Sequence, residues 1–204
     1  IFTDANGICA IQAGNQRIDC RQLVLALGHS ARDTFAMLHE ANVAMEAKDF
    51  AVGVRVEHPQ KLIDQNQYKE AAGHPRLKSA EYRLTCQTQE GRGVYSFCMC
   101  PGGTVVASAS EEEAIVTNGM SEYARDQANA NSALLVQVRR SDFGEGVLDG
   151  MRYQQELERQ AWILGGCCGK APCQRISDYL AKRPSCDYGA VIPSHSCGVT
   201  MTDL

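Results

Sequence analysis

Cys98 and Cys100 flank Met99 and run directly into Pro101, Gly102 and Gly103. A proline ends a strand and paired glycines carry no side chains, so backbone or a ligand can come close at such a turn. The same residues also suit a hairpin whose small thiols fill a core. Dithiol chemistry is the less favoured reading, because same-face neighbours on a regular strand stand roughly 6–7 Å apart, near the limit for a disulfide. Arg55 can grip a carboxylate through two parallel hydrogen bonds, or it can form a solvated salt bridge with Glu57 or a neighbouring strand. His58 lies three residues beyond Arg55, and His29 directly follows Gly28. Each could donate a proton or a hydrogen bond, and each could equally be a surface histidine. Asn118 and Asn131 sit in polar stretches; asparagine offers both a donor and an acceptor to an amide, carbonyl or carboxylate, although turn chemistry explains them as well.

Other chemistries find less support. Cys167, Cys168 and Cys173 cluster without the spaced pairs that structural zinc prefers, and the histidines at 29, 39, 58, 74 and 195 are scattered, so no metal site is expected. No nucleophile elbow, zinc-protease helix, Walker loop or paired-carboxylate signature is present, which leaves hydrolase and kinase readings unsupported. Gly144, Gly146 and Gly150 follow a strand, yet they carry one residue too many for a dinucleotide fingerprint. They read as a strand-to-helix connection.

These residues need elements to hold them. Asn6-Gly7 and Gly14-Asn15 are turn pairs between short strands, and the unbroken run Leu23–Leu27 predicts a strand covered on both faces, as in a parallel sheet. A helix is predicted from Ser30 to about Met45. Alternation over 50–58 predicts a half-buried strand, with Phe50, Val52, Val54 and Val56 on one side and Gly53, Arg55 and Glu57 on the other. Pro59 then starts a short helix. Further strands are predicted at 82–86, 93–99, 103–109, 114–117 and 132–138, with helices over 148–164 and 172–182 and a loop-like tail. The fold class is α+β: a mainly antiparallel sheet or partly closed barrel with packed helices, preceded by a stub of an α/β domain.

With 204 residues, 44% hydrophobic and 22% charged, the chain can bury a core of good size without disulfide staples. Its ten cysteines therefore read as reduced thiols in a cytoplasmic protein rather than a disulfide framework. A net charge of −4 gives no footprint for nucleic acid, and no apolar run is long enough to span a bilayer. The chain opens at Ile1 without an initiator Met, within strand-like sequence, and is expected to be an internal piece of a longer protein.

The apolar strand and A-x-G turn of LVLALGHSARDTFAML, followed in order by FAVGVRVEHPQ, YSFCMCPGG, VTNGMSEYARD, NSALLV and APCQRISDYL, resemble a family of uncharacterised bacterial FAD-dependent dehydrogenases. In these flavoproteins a glutathione-reductase-like FAD domain is interrupted by an inserted domain. The likeness runs from about Gly7 to Leu204 and implies residues 1–48 as part of the FAD-binding domain and 49–204 as the inserted substrate-side domain. It places Gly28, His29 and Ser30 near the flavin in the parent protein, and Arg55, His58, Cys98, Met99, Cys100, Gly102, Gly103, Asn118 and Asn131 around a substrate pocket. His29 and His58 become the candidate catalytic groups. The GGCCGKAPCQ segment departs from the family pattern, which puts a required metal there in doubt. The implied cofactor is FAD held by the parent, with this chain alone not expected to bind it or to be active. The implied partners are a small-molecule substrate and the remainder of the FAD-binding domain.

Overall fold

The computed structural model describes residues 1–204, which divide into two units, Ile1–Val43 and Ala44–Leu204. In the first, β1 (Phe2–Asp4), β2 (Gly7–Ala13) and β3 (Gln16–Asp19) form an antiparallel meander, with the expected turns at Gly7 (φ +108°) and Gly14 (φ +57°). Helix α1 (Arg32–Glu40) follows and buries Leu38. Residues Leu23–Leu27 do not form the predicted strand, and Val24 is 88% exposed. Extended backbone becomes a strand only when a neighbour completes its hydrogen bonds, and β1–β3 complete one another without it.

The second unit is built on β4 (Phe50–Pro59), which passes at Pro59 straight into α2 (Gln60–Tyr68). After a single 3₁₀ turn come β5 (Thr85–Gln87), β6 (Gly93–Cys100), β7 (Thr104–Ala107), β8 (Thr117–Met120) and β9 (Asn129–Val138). The main sheet has the order β4-β9-β6-β5 and is antiparallel throughout, while β7 and β8 pair as a separate hairpin. The sheets stay open, so of the two expected forms the α+β sheet holds and barrel closure does not occur.

Helices α3 (Arg140–Phe143) and α4 (Asp149–Leu164) pack on the start of β4, where Phe50 lies 5.2 Å from Phe143 and 6.2 Å from Tyr153 between ring centroids. Arg92 clamps α3 by a two-pronged pair with Asp142 (2.5 and 2.7 Å), and these bonds hold the Asp142 carboxyl well below the usual carboxylate range. α4 stops where the sequence suggests, at Gly165, whose Cα lies against the Lys170 carbonyl, followed by Gly166 at φ +91°.

Beyond α4 the expected helix over 172–182 is only α5 (Ile176–Leu180), because β10 (Ala171–Cys173) pairs in parallel with β11 (Val199–Met201) in the supposed loop-like tail. The pairing partner lies more than twenty residues away, and local pattern cannot announce it.

The Pro101-Gly102-Gly103 turn links β6 to β7 and is fully buried. Gly102 has φ +47°, donates its N–H to Gln60 Oε1 at 2.7 Å, and would place a Cβ 1.9 Å from the Arg125 carbonyl oxygen. Gly102→Ala should cost about 3 kcal/mol or more in urea unfolding, since backbone strain and a backbone clash combine. Gly93→Ala, which meets nothing within 4 Å, should change stability by less than about 1 kcal/mol. Equal effects at the two glycines would contradict the close approach.

Candidate functional site

Strand alternation turns Arg55 and Glu57 to the face opposite Val54 and Val56. On β9 the residue opposite Glu57 is Asn131, and on β6 the residue opposite Asn131 is Cys100. Three strands thus bring Arg55, Asn131 and Cys100 together, and the β7–β8 hairpin adds Asn118 and Gly119. Arg55 Nη1 donates to Asn131 Oδ1 at 2.8 Å and to the Cys98 carbonyl at 3.3 Å, and Nη2 donates to Asn118 Oδ1 at 3.3 Å. A guanidinium has no acceptor, so it is the amide oxygen of Asn131 that faces it and the amide nitrogen that turns away. Gly119 has no room for a side chain: a Cβ would lie 2.2 Å from Asn131 Oδ1, 2.5 Å from Arg55 Nη1 and 2.7 Å from Cys100 Sγ.

All three acceptors on Arg55 are neutral. The nearby carboxylate, Glu57, is engaged by the Ser194 N–H and hydroxyl and by Asn129 Nδ2. The alternative of an Arg55–Glu57 salt bridge is therefore not realised. Two donors in the cluster stay buried without partners, Arg55 Nε and Asn131 Nδ2, with Asn131 at 0% exposure. A buried unmade donor costs roughly 1–3 kcal/mol. Of the five guanidinium N–H groups, Nε–H and one on Nη2 remain, and these adjacent nitrogens form the side-on fork that matches the two oxygens of a carboxylate.

His58 lies on the other face. Its Nε2 is 2.8 Å from the Tyr82 hydroxyl, and its Nδ1 is buried without a partner. Burial pushes the imidazole below its ordinary range, opposed by its own backbone and by Glu57. Burial also raises Tyr82, opposed by a hydrogen bond from Ser132 and the charge of Arg55. Tyr82 opens onto a groove of roughly 1180 Å³ along β5 and β6, also lined by Arg83, Tyr95, Phe97, Cys98 and Met99. His58 and Tyr82 are thus a neutral hydrogen-bonded couple at the edge of a space large enough for a small molecule.

The expected site residues separate by role. Arg55, Cys98, Cys100, Asn118 and Asn131 meet around one guanidinium, and Met99 with Cys98 borders the groove. Gly102 and Gly103 face the chain itself, against the Arg125 and Met120 carbonyls. Gly28, His29 and Ser30 are exposed in the first unit, ahead of α1. No group of three His, Cys, Asp or Glu side chains gathers as a metal site. Tyr82 and the Glu57–Ser194 contact had no sequence signal. Tyr82 reads as one more strand residue, and Ser194 lies 137 positions from Glu57.

The geometry defines an α+β domain whose open sheet presents a counterion-free cation and a half-buried His58–Tyr82 hydrogen bond. Residues 49–204 match the family described as FAD-dependent protein, C-terminal domain-like, and the chain belongs to that family. It is also 53% identical over 197 residues to a protein of Clostridium beijerinckii (strain ATCC 51743 / NCIMB 8052) named only as an uncharacterized protein. The match covers 96% of this chain and 37% of that relative's length. No helix is long and apolar enough to cross a membrane.

The family ties the chain to FAD, and the glycine turn nearest a dinucleotide fingerprint is not open to a phosphate. The Gly144–Gly146 turn is filled by Asp149, whose Oδ2 accepts the Gly146 N–H at 2.8 Å and occupies the space a phosphate would need. A carboxylate at that point repels an anion.

Because His58 is held low in the folded chain, the unfolded chain takes up the proton first as the pH falls. Stability contributed by neutral His58 should be complete above pH ~6.5 and be lost progressively below it. Urea midpoints between pH 7 and 5 should fall more steeply for the parent sequence than for His58→Gln. Parallel slopes would show that the imidazole is not desolvated as described.

Proposed function

We propose that this domain forms the substrate-side wall of an FAD-dependent oxidoreductase, and that Arg55 is its anchor for a carboxylate or carbonyl oxygen of a small substrate. The observation that carries the reading is the guanidinium held by Asn118, Asn131 and the Cys98 carbonyl with no protein anion against it. Such a cation is oriented by neutral groups and keeps its charge for a ligand. The 3.3 Å bond to Asn118 is the contact a ligand oxygen displaces, freeing the side-on fork. A flavin held by the parent protein would supply hydride transfer; the domain's own residues would position the substrate and exclude water. His58 and Tyr82, on the other face of β4, serve the groove and not an oxygen held by Arg55.

The rest of the parent FAD-binding domain is the proposed partner. On one face of the sheet Val54 and Leu84 are each 57% exposed, apolar surface suited to cover by a larger body. The share of the Clostridium relative that this chain spans leaves ample sequence for such a body.

The full-length protein should show the visible absorption of an oxidised flavin, and small carboxylates should perturb that spectrum saturably. Arg55→Ala should keep the flavin and weaken carboxylate binding by at least about tenfold, the loss of a charge-assisted pair worth roughly 1.5–3 kcal/mol. A full-length protein with no flavin, or carboxylate binding untouched by Arg55→Ala, would overturn the reading.

A further inference from the structure

Cys98 and Cys100 are poorly placed for each other on a regular strand, and β6 is not regular there. Phe97 pairs with Ala133 and Cys100 pairs with Asn131, so three steps along β6 match two along β9. The extra residue is a bulge, and Cys98 carries it with φ +48°, a left-handed conformation that costs a non-glycine residue on the order of 1–3 kcal/mol. Bulging folds the two residues together: the Cys100 thiol donates to the Cys98 carbonyl at 3.4 Å. Cys98 is exposed and borders the groove, whereas Cys100 is buried. Pro101 and the packed glycines hold the far side of the turn in place.

We propose that Cys98 and Cys100 are a reversible dithiol–disulfide pair that exchanges with low-molecular-weight disulfides reaching the groove. The Cys98 thiolate attacks one sulfur of the small disulfide, forming a mixed disulfide and expelling one thiolate. The Cys100 thiolate then attacks Cys98 Sγ, the protein S–S bond forms, and the second small thiolate leaves. Both thiol protons pass to the departing thiolates, so the protein dithiol is oxidised and the small disulfide is reduced to two thiols. The division of labour follows exposure: the accessible sulfur is attacked from solvent, and the sheltered one resolves. Burial and the neighbouring Cys98 both hold the Cys100 thiol above the ordinary range, in keeping with that order. The bulge bends β6 between the two cysteines, so their spacing is not that of a regular strand. The proposal does not depend on the flavin reading.

The test uses the whole chain and oxidised glutathione. Trypsin releases Gly93–Arg125, a fragment whose cysteines are Cys98 and Cys100 alone. After native exposure to oxidised glutathione and acid quench, this fragment should be lighter by two hydrogens, carry no glutathione, and resist alkylation until reduced. Cys100→Ser should instead retain glutathione on Cys98, and Cys98→Ser should lose the protection of Cys100. Closure in the native chain should outpace closure in urea. Alkylatable thiols at both positions, glutathione retained on wild-type Cys98, linkage of this fragment to another cysteine peptide, or equal closure in urea would each overturn the proposal.

Discussion

Ten residues of β4, Phe50–Pro59, pair with β9 without a slip, and Arg55, Glu57, His58 and Asn131 take their sides of the sheet from that register. Side chains alternate with period two, so a shift by one residue would carry Arg55 to the valine face and His58 to the other. The register is held by the β-branched run at 52, 54 and 56 and ended by Pro59, which cannot extend the ladder and delivers Gln60 into α2. Gln60 in turn holds Gly102, with its amide nitrogen on Asp64 and the Ala80 carbonyl. A single strand pairing therefore fixes both the cation and the turn beside it.

The second constraint opposes the first. β6 carries one residue more than β9 can match, and the mismatch falls at Cys98 rather than being absorbed at a strand end. A bulge bends its strand and frees a carbonyl from the ladder. Here the Cys98 carbonyl accepts from both the Arg55 guanidinium and the Cys100 thiol. Removing the bulge would cost Arg55 one of its three acceptors and separate the two sulfurs in the same step.

How much of this the residues disclose depends on the range of the forces involved. The β4 alternation is local, so the strand and the outward turn of Arg55 were readable, and the turn-forming glycines of the first unit were equally plain. The same local logic misled at Leu23–Leu27, where an apolar run takes no partner, and at Ala171–Cys173, where a helical pattern gave way to pairing with Val199–Met201. The gathering of Arg55, Asn118 and Asn131 was suggested only by residue type, since their proximity is made by the hairpin and the β9 register together. Nothing local marks Tyr82 as the partner of His58, or the bulge that alters the Cys98–Cys100 spacing.

Glycine carries a related lesson about close approach. A bare Cα suggests room for a ligand, yet Gly102 and Gly103 lie on the chain's own carbonyls, and the Gly144–Gly146 turn is filled by Asp149. Those positions are satisfied by the fold and ask nothing of a ligand. The same holds for Glu57, whose carboxylate takes donors from Ser194 and Asn129. Arg55 and Asn131 differ, because a fold that supplies so many partners to the carboxylate two residues away leaves their inner N–H groups unmade. Folding alone gains nothing from that omission, since an apolar side chain in either place would remove the penalty. Unmade donors beside a charge without a counterion are the local cost on which the proposed binding role of Arg55 rests.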